Sequence, residues 1–180
     1  MRLETIPQSE GIKVVIGTRT WLGEGWTHID IDPRPLVDPL TNQRHPVDVV
    51  CDAKKLDLPD NYADLVYNSE CLEHFPWKET QSVVSEWGRI VKPGGHLVIE
   101  VPDFILACKQ IVEWDCLDGD LRMQQIFFAE QLNEFDFHFA GITHRTLPYF
   151  MDNAGFDVNL DDIKRGDEFG WLRVDGIKRG

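Results

Sequence analysis

The chain has few cysteines and few basic residues, and each shortage excludes a class of protein. Its four cysteines include no pair separated by two residues, and two of the four lie in apolar runs. We therefore expect reduced, buried thiols in a cytoplasmic protein. A zinc site would draw on His138 or His144, but no ligand spacing supports one, so the sequence predicts no metal site.

Lysine and arginine together number 18, against 31 aspartates and glutamates, which gives a net charge of -13. Nucleic acids and anionic membranes both bind clustered lysine and arginine, so neither is expected as the main partner. Solubility explains the acidity, and a cationic ligand is the alternative explanation.

Long apolar runs are absent as well. No run approaches the roughly 18 apolar residues of a membrane helix, and residues 1–10 contain no apolar stretch of the kind found in signal peptides. We therefore expect a cytoplasmic location. The length of 180 residues suits one domain over residues 1–180.

Short β-branched or apolar segments alternate with segments of helical periodicity. The predicted strands are residues 12–16, 27–31, 47–51, 63–68, 95–101, 156–160 and 171–177, the last two forming a hairpin around residues 165–167. The predicted helices cover residues 83–91, a segment that follows Asp103, residues 120–133 and residues 146–154. This alternation predicts an α/β fold with a parallel sheet between two layers of helices.

One predicted connection is too short for the usual crossover. Only the segment between Gly17 and Trp26 joins the first two strands. A crossover that contains a helix needs at least about 10–12 residues. We therefore expect the first crossover helix to be absent or reduced to a single turn.

Four short motifs stand beside the predicted strands. Residues 30–33 (Asp-Ile-Asp-Pro), 51–53 (Cys-Asp-Ala) and 72–74 (Leu-Glu-His) each follow an apolar run, and residues 92–95 (Lys-Pro-Gly-Gly) precede one. Residues just past the carboxyl ends of parallel strands line the ligand crevice of an open sheet. Acidic groups there can bind ribose hydroxyls or an adenine amino group, so the motifs indicate a nucleoside-binding α/β domain.

Residues 13–104 resemble the class I S-adenosylmethionine-dependent methyltransferases, above all their small, minimal predicted members. The resemblance is carried by residues 52–64, by Glu73-His74 and by residues 92–95, and more loosely by residues 138–156. It implies a Rossmann-like three-layer sandwich with strand order 3-2-1-4-5-7-6, in which the seventh strand is antiparallel. It also implies S-adenosylmethionine as the cofactor and S-adenosylhomocysteine as the product.

The resemblance also implies roles for individual residues. Asp30 would accept hydrogen bonds from both ribose hydroxyls, and Asp52 would accept one from the adenine amino group. The alternative for Asp30 is a cap of the turn before Pro33, and the alternative for Asp52 is a solvated loop carboxylate. The other residues that the resemblance places at the cofactor are Gly17, Thr18, Ile31, Ala53, Asn68 and Ser69.

The turn after the first strand departs from the family pattern. Several glycines are expected there, but this chain has Gly17-Thr18-Arg19-Thr20. Thr18 and Arg19 would either bind the carboxylate of the cofactor or block its site.

The resemblance implies methyl transfer by in-line displacement to an oxygen or nitrogen of a small-molecule acceptor. His74 would act as general base beside Glu73, with a structural role as the alternative. The acceptor pocket would draw on His138, His144 and Trp77. The altered turn at Gly17 leaves open a catalytically silent binding protein on the same scaffold.

Two further expectations concern an alternative class of enzyme and the oligomeric state. A nicotinamide-dependent oxidoreductase requires a glycine-rich motif opening a helix after the first strand, and the chain has neither the motif nor the room. Apolar residues at 127–128 and 135–139 make a homodimer plausible, because exposed apolar patches often mark contacts.

Overall fold

The computed structural model describes residues 6–7, 9–114, 116–166 and 170–180, with strands and helices alternating along them. The strands are β1 (Lys13–Ile16), β2 (Trp26–Asp30), β3 (Leu36–Val37), β4 (Arg44–His45), β5 (Val49–Val50), β6 (Ala63–Ser69), β7 (Val91–Pro102), β8 (Phe156–Val158), β9 (Lys164–Arg165) and β10 (Trp171–Lys178). The α-helices are α1 (Thr80–Ile90), α2 (Phe104–Trp114), α3 (Leu117–Phe128) and α4 (Thr146–Asn153), and short 3₁₀ helices cover Leu72–His74 and Leu160–Asp162.

The main sheet has the strand order β5-β2-β1-β6-β7-β10-β8, with β9 paired beside β10. Strands β5, β2, β1, β6 and β7 are parallel, and β10 runs antiparallel to both β7 and β8. This is the predicted order with its reversed final strand, so the α/β, Rossmann-like expectation is confirmed. Two elements were not predicted, namely the two-stranded sheet of β3 and β4 and the short strand β9.

Helix α1 packs its apolar face on the sheet. Val83, Val84, Trp87 and Ile90 recur at helical spacing and are all buried. Burial of each such side chain stabilises the fold by about 1.5–3 kcal/mol. The indole N–H of Trp87 also donates to the carbonyl of Ala53 at 2.9 Å, which fixes the loop after β5 against this helix.

The first crossover contains no helix, as predicted. The chain between β1 and β2, all of which is described, instead lies against β3. The backbone N–H of Trp21 donates to the carbonyl of Val37 at 3.0 Å, and the ring of Trp21 stacks on His45 with centroids 3.8 Å apart. An extended segment held by the small sheet therefore occupies the place of a helix.

The end of α3 and the start of β7 differ most from the predicted boundaries. Helix α3 ends at Phe128 rather than near residue 133, because Ala129 turns the chain with φ +62°. Strand β7 begins at Val91, before the predicted residue 95, because Val91 already pairs with Ala63 across an irregular register. The predicted turn at 165–167 is described only in part, since Asp167 lies outside the described residues.

The cysteines are free thiols, but their burial differs from the expectation. Cys51, Cys71 and Cys108 are half-buried and Cys116 is exposed. Among the described helices, none has both the length and the apolar character needed to cross a membrane.

A buried histidine on β2 links stability to pH. Nε2 of His28 accepts the backbone N–H of Leu22 at 3.0 Å, and Nδ1 lies 3.3 Å from Oδ2 of Asp48. A nitrogen that accepts a hydrogen bond carries no proton, so the ring is neutral. Burial lowers the pKa of His28 below its usual 6.5, while the hydrogen bond to Asp48 raises it to a lesser extent.

The unfolded chain binds a proton at His28 more readily than the folded chain does. The stabilisation that depends on neutral His28 should therefore be fully present above about pH 6.5. It should decline as the pH falls from there to the lowered pKa of the folded state. The variant His28→Gln should show a smaller decline. Denaturant titrations at about pH 7.5 and about pH 5.5 measure the difference. The control is His96→Gln, since His96 lies near the surface beside Asp175. Equal declines in His28→Gln and the unmodified chain would contradict this assignment.

Candidate functional site

A cavity opens where the parallel strands end. Its volume is about 480 Å³, within the range of cofactor sites. Gly17 after β1, Asp30 at the end of β2, Asp52 after β5 and Glu70 after β6 all line it. Residues from four neighbouring strands therefore meet at the sheet edge where the sequence predicted a nucleoside.

Asp30 caps a local turn and also lines the cavity. One carboxylate oxygen accepts the backbone N–H of Asp32 at 2.9 Å, which caps the turn before Pro33. The side chain also lines the cavity although the residue is only 8% exposed. Burial raises the pKa of Asp30, and the Asp32 N–H and the charge of Arg19 oppose that rise.

Arg19 lies in the wall of the cavity. Its guanidinium is 3.5 Å from Oδ2 of Asp30 and donates to the carbonyl oxygens of Asp32, Arg34 and Pro35 at 3.3, 2.8 and 3.2 Å. These contacts hold the arginine against the loop after β2. The cavity therefore stays open with Arg19 in place.

Gly17 marks the closest approach of the backbone to the cavity. Its φ is +71°, a conformation that glycine adopts without strain, and its N–H donates to the carbonyl of Ile29 at 2.8 Å. A Cβ at this position would collide with the side chain of Cys71. Only a glycine fits this turn without a shift in the neighbouring side chain.

Asp52 also lines the cavity and is half exposed, at 46% of its side chain. Its carboxylate accepts the backbone N–H of Lys54 at 2.9 Å. Ile31, Ala53 and Phe75 line the cavity between Asp30 and Asp52 and present apolar surface. This arrangement suits a flat, partly polar ring held between two carboxylates.

Three of the predicted cofactor residues lie outside the cavity lining. Asn68 is fully buried and donates to the carbonyl of Ile16 at 2.9 Å, so it joins β6 to β1. Ser69 lies 3.4 Å from Glu100, and the Thr18 hydroxyl accepts the N–H of Thr20 at 3.3 Å. These contacts support the strand ends beneath the cavity.

The predicted catalytic pair is divided between two cavities. His74 lines the first, whereas Glu73 lines a smaller one of about 190 Å³. Burial lowers the pKa of His74, and the neighbouring His138 lowers it further. Burial raises the pKa of Glu73 well above its usual range.

The residues predicted for the acceptor pocket do not line one common cavity either. His138 lines the smaller cavity and packs edge-on against His74, with ring centroids 4.7 Å apart. His144 and Trp77 line neither of these cavities. Trp77 is 67% exposed, with the Lys78 ammonium 5.6 Å from its ring.

Sequence reasoning did not place residues 130–139 at the cavity. Leu132, Phe135 and Phe139 line it, although the apolar residues at 135–139 had indicated a dimer contact. The N–H groups of Phe139 and Ala140 both donate to the carbonyl of Glu73, at 2.8 and 3.1 Å, which holds the segment beside the cavity. These are backbone contacts, so no side-chain pattern could reveal them.

A parallel sheet with a carboxylate at the end of β2, another after β5 and a glycine after β1 is typical of proteins that bind a nucleoside cofactor. Comparison with known proteins adds further findings. Residues 15–99 match the family model described as a methyltransferase domain.

Two solved structures share the fold over almost all of the chain. A SAM-dependent methyltransferase of Methanosarcina mazei is 16% identical, with a TM-score of 0.60 over 98% of this chain and 96% of its own. The 1,6-didemethyltoxoflavin-N1-methyltransferase of Burkholderia thailandensis, with bound 1,6-didemethyltoxoflavin and S-adenosylhomocysteine, is 15% identical, with a TM-score of 0.55 over 93% of this chain and 71% of its own.

A curated relative matches a shorter segment. The ubiquinone/menaquinone biosynthesis C-methyltransferase UbiE of Cupriavidus taiwanensis is 42% identical over 50 residues, which are 28% of this chain and 20% of that protein. The match thus spans about a fifth of the relative's length. Residues 15–99 are thus similar to methyltransferase domains, and the chain shares its fold with a SAM-dependent methyltransferase.

Proposed function

We propose that this protein transfers the methyl group of S-adenosylmethionine to an oxygen or nitrogen of a small-molecule acceptor. The observation that carries the proposal is that Asp30 and Asp52 line one cavity together with Gly17. Asp30 would hold the ribose hydroxyls and Asp52 the adenine amino group, with Ile31 and Ala53 against the ring. Gly17 would let the methionine end approach the backbone.

The reaction is an in-line displacement. A lone pair of the acceptor attacks the methyl carbon, the carbon–sulfur bond breaks, and its electron pair stays on sulfur as S-adenosylhomocysteine forms. The proton of the acceptor passes to a base, for which His74 is the proposed residue. Because the sulfonium is already reactive, the protein mainly supplies alignment and exclusion of water, which can be worth about 7–11 kcal/mol.

The segment at residues 130–139 supports a small acceptor. It places Leu132, Phe135 and Phe139 along the cavity beside the carboxylates of Glu134 and Asp136. A cavity lined by both apolar and acidic side chains suits a compact molecule with one polar or cationic end. The C-methyltransferase name of the Cupriavidus relative makes a carbon acceptor the alternative for the atom that is methylated.

Calorimetric titration of the chain with S-adenosylhomocysteine, followed by product assays on a panel of hydroxyl and amine compounds, tests this function. We expect micromolar or tighter binding and formation of S-adenosylhomocysteine with at least one acceptor class. The variant His74→Gln should keep cofactor binding within about twofold and lose transfer by about 100-fold, the range of general-base contributions.

Three outcomes would count against the proposal. Tight binding without transfer to any acceptor would favour the catalytically silent alternative. The absence of binding would reject the cofactor site itself. Unchanged transfer in His74→Gln would remove His74 from the chemistry.

A further inference from the structure

A cluster of potential metal ligands lies in the wall between the two cavities. Glu73, His74 and His138 each offer one ligand atom, and these atoms all lie within 4.8 Å of one another. His74 lines the first cavity, whereas Glu73 and His138 line the second. The sequence had indicated no metal site, because His138 stands 64 residues beyond His74.

Glu73 has no partner that explains its burial. The residue is 2% exposed, and neither carboxylate oxygen has a hydrogen-bond partner among the described residues. An unpaired buried carboxylate is costly unless it is neutralised or binds a cation. Nε2 of His138 lies 3.9 Å from Oε1, which is too long for a hydrogen bond.

His138 is oriented as a metal-binding histidine usually is. Its Nδ1 lies 2.8 Å from the carbonyl oxygen of Ile126, so Nδ1 carries the proton and donates it. Nε2, which faces Glu73, is then left with a free lone pair. A backbone carbonyl that fixes the tautomer in this way is typical of metal ligands.

His74 supplies the third donor. Its Nδ1 is also buried without a hydrogen-bond partner among the described residues. The carboxylate of Glu73 and Nδ1 of His74, both buried without hydrogen-bond partners among the described residues, therefore belong to one cluster with His138.

We propose that Glu73, His74 and His138 bind a divalent transition-metal ion of the zinc type. Two imidazoles and one carboxylate are the donor set of open zinc sites, which leave a fourth position for water or substrate. Ligand atoms on one zinc ion lie about 3.3 Å apart, so binding would draw these side chains slightly together. Magnesium and calcium prefer sites built of oxygen alone.

The role of the ion rests on the proposed function. An acceptor hydroxyl at the open position would lose its proton to water, because the ion lowers its pKa. The resulting alkoxide would attack the methyl carbon, and the electron pair of the carbon–sulfur bond would remain on sulfur. His74 would then be a ligand rather than the base.

The test begins with the full chain stripped by a chelator. Titration with Zn²⁺ against a chromophoric competitor should give one equivalent with a Kd below about 1 μM. Co²⁺ should give visible absorption bands of a four- or five-coordinate site, whereas Mg²⁺ should not compete. Glu73→Gln and His138→Gln should each weaken Zn²⁺ binding by at least about 100-fold. The control His96→Gln should bind as the unmodified chain does, because His96 lies beside Asp175 at the other end of β7.

Further measurements separate the metal site from the fold and from the cofactor site. Metal-free Glu73→Gln should be at least as stable as the metal-free parent, since the carboxylate it replaces has no partner. If Glu73→Gln does not fold, the Co²⁺ spectrum of the unmodified chain and the Zn²⁺ affinity of His138→Gln test the metal site instead. S-adenosylhomocysteine should still bind the metal-free chain, so a failed metal site leaves the proposed function standing. Absence of Zn²⁺ binding, or binding unchanged in both variants, would overturn the metal proposal.

Discussion

Replacement of Asp30 by asparagine should weaken binding of S-adenosylhomocysteine by about 100-fold, or about 2.8 kcal/mol. The carboxylate can accept hydrogen bonds from both ribose hydroxyls, and hydrogen bonds to a charged group contribute about 1.5–3 kcal/mol. Asparagine keeps the shape but offers one acceptor and no charge. The variant also leaves the guanidinium of Arg19, 3.5 Å away, without its carboxylate neighbour in the cavity wall. Isothermal titration calorimetry measures the loss.

The neighbouring carboxylate is a matched control. Asp32 already accepts from the backbone N–H of Arg34 at 2.9 Å and from its Nε at 2.7 Å, and the latter hydrogen bond lowers the pKa of Asp32 to about 2. Asp32→Asn should therefore change cofactor affinity by less than about fivefold, the range of exposed ion pairs. If Asp32→Asn caused the larger loss, the ribose contact would belong to Asp32 and the assignment of Asp30 would be wrong.

Replacement of Gly17 by alanine should lower the free energy of unfolding by about 2–4 kcal/mol. Part of the loss, about 1 kcal/mol, comes from a left-handed backbone at φ +71° that alanine adopts with strain. The larger part comes from the collision of the new Cβ with the side chain of Cys71, since overpacking costs about 1–3 kcal/mol. Urea denaturation measures the change, and cofactor affinity should fall with it.

Two further variants separate strain from collision. Gly25 has a comparable φ of +82°, and a Cβ there would meet only the end of the Lys13 side chain at 3.8 Å. Gly25→Ala should therefore show the backbone cost alone. The double variant Gly17→Ala with Cys71→Gly should recover part of the stability lost in Gly17→Ala, because it removes both the sulfur and the Cβ that the new methyl group meets. Equal losses in Gly17→Ala and Gly25→Ala would contradict the close approach of Cys71.

Local patterns predicted most of the sheet and part of the cavity. The β-branched runs located the central strands, and the resemblance implied their order. The short connection after Gly17 excluded the first crossover helix by length alone. Asp30 ends β2 and Asp52 lies two residues after β5, so the geometry of a parallel sheet places them at one edge.

Local sequence patterns did not predict the other parts of the site. Residues 130–139 have no regular secondary structure, and backbone hydrogen bonds to the carbonyl of Glu73 hold the end of this segment. Helix α3 stops at Phe128 through the positive φ of Ala129, which a residue with a Cβ adopts only where its surroundings favour it. The predicted dimer contact at 135–139 stays untested, although two of its phenylalanines line the cavity.

The amino-acid sequence by itself determined the alternation of strands and helices and the position of the two aspartates at the sheet edge, because both depend on short periodic patterns. The tertiary structure decided that Glu73 turns away from the cofactor cavity and that His138 packs against His74. These contacts join residues more than 60 positions apart. Their physical cause is the path of the chain after α3, which only the packing of the whole domain selects.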